Sequence, residues 1–154
     1  MSGRASEAEL DELEARIDAW AARELAGNPG VAAVVRGPRS EGRSWFVRLL
    51  GEEKDTYTVR LVLRERTLRY ESFVMPAPEE NHAAFYEHLL RRNLQMNQLA
   101  FVIGEEDAVF LQGQLPTSAV DDEELDRILG SFHAYVEQMF RPALRIGFAS
   151  RFKK

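Results

Sequence analysis

Residues 44–75 read SWFVRLLGEEKDTYTVRLVLRERTLRYESFVM, and this stretch decides the fold. Trp45, Val47 and Leu49 share one parity, as do Tyr57, Val59, Leu61 and Leu63, and then Leu68, Tyr70 and Val74. A period of two with one apolar parity is the mark of strands buried on one face. The charged run GEEKD at 51–55 and the pair Glu65–Arg66 are of turn length, so strands are predicted at 44–50, 56–64 and 67–75. A shorter strand over 31–36, closed by Gly37 and Pro38, precedes them. Four consecutive strands with short connections form an antiparallel meander.

On either side of this meander the period changes to that of helices. Ser6 and Glu9 have capping-box spacing, and Leu10, Leu13, Ile17 and Trp20 then recur along one stripe until Gly27, Asn28 and Pro29 end the helix. A second helix begins beyond Pro76 and Pro78, with Phe85, Tyr86, Leu89 and Leu90 as its expected buried face. Two more strands, 99–103 and 108–112, are joined through Gly104-Glu105-Glu106-Asp107. The last helix is capped at Asp121 with Glu124 reaching back. Its stripe of Leu125, Ile128, Leu129, Phe132, Val136, Met139 and Phe140 is expected to stop at Pro142. The order αββββαββα predicts an α+β protein whose helices pack on one face of an antiparallel sheet.

At 154 residues, 45% hydrophobic and 29% charged, the chain has the size and balance of a single globular domain. The expected core covers about 6–140, with a basic tail over 141–154 that is expected to be disordered or loosely docked. There is no cysteine, which excludes a disulfide framework, a thiolate metal site and a cysteine nucleophile. No apolar run reaches spanning length and the N-terminus lacks a signal-peptide core, so a cytoplasmic protein is expected. The net charge of −5 argues against a dedicated duplex-DNA binder. That charge is unevenly spread: residues 31–76 carry nine basic groups against six acidic, whereas 1–30 and 77–120 are acidic.

Two stretches carry a family resemblance: FVMPAPEENHAAFYEHLLRRN at 73–93 and AVFLQGQLPTSAVDDEELDRILGSFHAYVEQMF at 108–140. With the strand pattern before them, they resemble the YbjN-like family of bacterial proteins, labelled sensory transduction regulators and similar in fold to the small chaperones of type III secretion. The resemblance covers roughly residues 30–140. It implies a type III secretion chaperone-like fold, a homodimer and a regulatory or chaperone-like binding role, and it supplies no active-site residue.

The residues themselves point away from catalysis. His82, His88 and His133 are too few and badly spaced for a metal site, and Glu79-x-x-His82 occurs once where a di-iron centre needs two copies. Neither a nucleophile elbow nor a phosphate-cradling glycine loop is present. The expectation is a non-enzyme with no cofactor and no metal. The opposite parity of the meander gives a mixed surface of Phe46, Arg48, Arg60, Val62, Arg64, Arg69, Phe73 and Met75. If the helices cover one face only, this set is open and is the expected docking surface for a protein or peptide partner. The alternative occupant is single-stranded nucleic acid, because aromatics on a basic sheet can stack bases.

Overall fold

The computed structural model describes residues 3–152. Helix α1 (Glu7–Gly27) leads into four strands, β1 (Val31–Arg36), β2 (Arg43–Leu50), β3 (Thr56–Leu63) and β4 (Thr67–Met75). Helix α2 (His82–Asn93), strands β5 (Ala100–Ile103) and β6 (Val109–Pro116), and helix α3 (Asp122–Gly147) complete the order. All neighbouring strands are antiparallel, in the order β1-β2-β3-β4-β6-β5. The meander is as the alternation predicts. Strand β6 is longer than expected and inserts between β4 and β5, with Leu68 opposite Leu115 and Phe73 opposite Phe110.

The three helices lie on one side. Trp45, Val47, Val59, Leu61, Leu68, Val74 and Leu111 of the sheet form one core with Ile17 and Trp20 of α1, Phe85 of α2, and Phe132, Val136 and Met139 of α3. The Ser6–Glu9 capping box forms in full. At α3 half of the predicted box forms. Asp121 accepts from the Glu124 N–H at 2.8 Å, while the Glu124 carboxylate turns to Arg127 at 3.7 Å. Helices α1 and α3 are joined where Trp20 Nε1 donates to Asp126 at 2.8 Å.

Pro142 does not end α3, contrary to expectation. A proline inside a helix leaves the carbonyl four residues earlier without its donor, a cost that normally stops the helix. Here that carbonyl is Gln138, and Arg92 of α2 donates to it at 3.3 Å. The helix therefore runs on to Gly147, burying Ala143. Its C-terminal carbonyls are covered in turn: Gly147 accepts from the Glu79 and Glu80 N–H groups, and Ile146 accepts from Asn81 Nδ2 at 2.8 Å. Beyond it, Arg151 pairs with Glu79 and Ser150 bonds Glu80. The expected loose tail is thus docked as far as Phe152; Lys153 and Lys154 lie outside the described residues. In α2 the expected buried face narrows to Phe85 and Leu89, since Leu90 is exposed.

Both sheet edges are blunted. The Asn93 side chain accepts from the Phe101 N–H at 2.7 Å and donates to its carbonyl at 3.1 Å, filling the free edge of β5 with an amide instead of a strand. A register shift between Val31 and Ala33 bulges β1 at the other edge.

Gly113 tests the crossing of the 94–99 connection over the sheet. A Cβ there would land on the Gln98 carbonyl oxygen and press the Tyr70 ring, whose hydroxyl already donates to Gln98 at 3.1 Å. Gly113→Ala is expected to lose about 1–3 kcal/mol of stability in urea unfolding. Gly130→Ala, whose Cβ meets nothing within 4 Å on an exposed turn of α3, is expected to gain up to about 1 kcal/mol. Equal effects of the two substitutions would refute this packing.

Candidate functional site

Cross-strand register builds the reverse face of the sheet in rows. One row runs Ser44, Val62, Arg69 and Gln114; the next runs Val35, Phe46, Arg60, Glu71 and Gln112. A third holds Arg48 opposite Thr58, and Phe73 opposite Phe110, which in turn faces Val102. These residues have the opposite parity to the core, so α1, α2 and α3 do not pack on them; the 37–42 connection lies against Ser44 and Phe46 and brings Glu41 to Arg60. Val35 is 58% exposed and Phe73 45%, unusual figures for large apolar side chains in regular strands.

Six of the eight residues expected on this face are presented there. Arg48, Arg64, Arg69 and Phe73 are exposed, while Phe46 and Arg60 are half-buried. Val62 is on the face but only 6% exposed, a floor beneath the flanking arginines. Met75 is not on it. A register shift between Phe73 and Met75 puts an extra residue into β4, so Met75 turns inward and is 1% exposed opposite Val109. Sequence reading missed Val35 and Phe110. Phe110 stands edge-on to Phe73 with ring centroids 5.8 Å apart, a contact that needs β6 beside β4. The alternation Val109, Phe110, Leu111, Gln112 carried the signal for its orientation but not for its neighbour.

The electrostatics of this face are unbalanced. Arg60 lies 3.6 Å from Glu41 and 3.8 Å from Glu71, with its guanidinium 5.9 Å from the centre of the Phe46 ring. Among the described residues, the side chains of Arg48, Arg64 and Arg69 have no ion pair, hydrogen bond or ring contact. Elsewhere among these residues most arginines are partnered, Arg66 and Arg145 excepted. On the helix side, Arg36 and Arg43 share Glu14, Arg23 pairs with Asp122 and Arg141 with Glu53. Arg60, Val62, Arg64, Arg69, Glu71 and Gln112 border a shallow hollow of about 180 Å³.

The histidines sit in structural contacts. His133 Nδ1 lies 3.3 Å from the Tyr57 hydroxyl, and His88 Nε2 accepts from Arg92 at 3.1 Å. Burial, then the Arg92 charge, holds the His88 imidazole below its ordinary range. The described residues contain no group of three or more His, Cys, Asp or Glu placed to hold a metal ion. No helix among them is long and apolar enough to cross a membrane.

The comparisons with known proteins agree with this architecture. The family model YbjN, described as "Putative bacterial sensory transduction regulator", matches residues 10–145. The chain belongs to the YbjN family. Relatives of this YbjN chain include an uncharacterized protein of Mycobacterium tuberculosis, 36% identical over 109 residues, covering 71% of this chain and 60% of that protein. Another, from Mycobacterium leprae, is 32% identical over 108 residues, covering 70% of this chain and 59% of that protein. The aligned part of the YbjN chain thus spans less than two thirds of the length of these relatives. Among solved structures, a chain in the crystal structure of the ExsC–ExsE complex superimposes with a TM-score of 0.53 at 23% identity, covering 84% of this chain and 94% of that one. The fold is therefore the α+β, type III secretion chaperone-like one that the resemblance implied.

Proposed function

We propose that this YbjN-family chain is a non-catalytic, cytoplasmic binding protein. It captures a segment of another polypeptide on the open face of its sheet, in a regulatory or chaperone-like capacity and as a homodimer. The observation that carries the reading is the set of partly exposed apolar side chains, Val35, Phe46 and Phe73, standing among arginines on a face that α1, α2 and α3 leave open. Apolar patches rimmed by arginine are the composition of interfaces. The family's regulatory description and a fold neighbour solved as a complex of two proteins support the same reading.

A photo-crosslinking amino acid at Phe73, compared with one at the exposed Glu12 of α1, tests it in cells. The expected result is a polypeptide adduct from position 73 that is lost when Val35 is changed to Asp, with none from position 12. Equal adducts from both positions, or none from 73, would overturn the reading. Sedimentation at micromolar concentration is expected to give twice the chain mass of 17.6 kDa, and a single-chain mass would remove the homodimer.

Single-stranded nucleic acid is the second reading, favoured by the Arg60 guanidinium over the Phe46 ring and opposed by Glu41 and Glu71 beside that same arginine. Oligonucleotide binding that falls steeply with salt would select it.

A further inference from the structure

Arg60, Arg64 and Arg69 surround one residue. Val62 lies directly opposite Arg69 in the β3–β4 ladder, and Arg60 and Arg64 are two positions either side of Val62 on the same face. Each is therefore a diagonal neighbour of Arg69, within about 7–8 Å at Cα. Three like charges at that spacing repel one another, and Glu41 and Glu71 reach only Arg60 among them. Neither Arg64 nor Arg69 makes an ion pair among the described residues, and Glu71, which borders the same hollow, is turned to Arg60. The floor of the hollow is the nearly buried Val62, which lowers the local dielectric and strengthens any pairing made above it. A carboxylate seated in this hollow matches the planar donor fork of arginine and removes the repulsion.

The rows also set a distance. From the Val62 row to the Phe73 row is two steps of two residues along the strands, about 13 Å. An extended segment lying along the strands places side chains of one parity at the same interval, so its fourth residue beyond the carboxylate reaches the exposed Phe73, whose ring has the half-buried Phe110 at its edge and the Lys54 ammonium 5.8 Å from its centre.

We infer that the occupant of this face is an acidic, extended polypeptide segment that seats a carboxylate between Arg64 and Arg69 above Val62 and an apolar side chain four residues away against Phe73. This rests on the protein-binding reading above and adds the partner's chemistry.

The test uses fluorescein-labelled ten-residue peptides of threonine, with Glu at position 3 and Leu at position 7, beside counterparts carrying Gln or Lys at position 3 and an oligothymidylate of equal length. The full chain is expected to bind the Glu peptide at least tenfold more tightly than the Gln peptide. The double variant Arg64→Glu/Arg69→Glu is expected to lose that preference and to favour the Lys peptide instead. Both positions are exposed and unpaired, so the variant should keep its melting temperature, and Arg64→Gln/Arg69→Gln serves if it does not. Equal binding of Glu and Gln peptides overturns the inference but leaves the protein-binding reading standing. No binding of any peptide overturns the inference, and the Phe73 crosslink then decides the broader reading separately. Tighter binding of the oligothymidylate overturns both.

Discussion

Phe132→Ala is expected to lower the stability of the protein by about 3–5 kcal/mol, the cost of emptying a buried aromatic site. Phe132 is fully buried in the middle of α3, edge-on to Tyr70 with ring centroids 6.0 Å apart. Tyr70 is itself 1% exposed, and its phenol is pushed up to about 12, chiefly by burial and then by the Glu124 charge. No neighbour can refill the space cheaply, because Tyr70 is anchored through its hydroxyl to the Gln98 carbonyl. With a urea slope of about 2 kcal/mol per molar, the midpoint should fall by roughly 2 M. Phe132→Leu keeps more of the volume and should lose less than Phe132→Ala. A midpoint shift under about 0.5 M for Phe132→Ala would mean that α3 does not pack as described.

Glu14→Ala is expected to cost about 2–3 kcal/mol, less than a wholly orphaned buried pair because its partners keep other acids. The Glu14 side chain is 11% exposed and accepts from Arg36 at 2.7 Å and Arg43 at 2.6 Å, with Arg39 at 3.7 Å. It ties α1 to β1 and β2. Arg43 retains Asp11 and Glu7, and Arg36 retains Asp18. Burial alone would raise the Glu14 carboxyl, but the hydrogen bonds and charges of Arg36, Arg43 and Arg39 outweigh it and hold the group below its ordinary value of 4.5. A carboxyl depressed by folding gives stability that is fully present above the unfolded value and lost as pH falls through the folded one. Urea unfolding should therefore show stability declining as the pH drops below 4.5, with a smaller decline in Glu14→Gln. Glu9 and Glu79 are also depressed, held by Ser6 and Arg151, so the decline should shrink and not vanish. Parallel acid curves for the two proteins would show that Glu14 is not the paired group.

Local chemistry was legible and long-range pairing was not. The Ser6–Glu9 box, the Asp121 cap and the alternation from Trp45 to Leu63 are determined by neighbours in the chain, and each formed where the residues indicate. Met75 was misplaced because a bulge of one residue reverses every later side chain, and periodicity cannot see it. Pro142 was misread because its remedy, Arg92 on another helix, lies 50 residues away in sequence. Nothing within its own helix marks Glu14, since its arginines come from β1 and β2. On the candidate face, parity found Phe46, Arg48, Arg60, Arg64, Arg69 and Phe73. Phe110 needed the knowledge that β6 threads between β4 and β5.

The amide of Asn93 on Phe101 and the bulge in β1 have a consequence for how anything can approach. A protein that displays apolar side chains on a bare β-surface risks templating fibrils by adding strands at its margins. With one margin plugged and the other warped, growth by backbone pairing is obstructed, and visitors must arrive broadside. Selectivity then belongs to side-chain shape and charge, not to main-chain ladders, which accept almost any sequence.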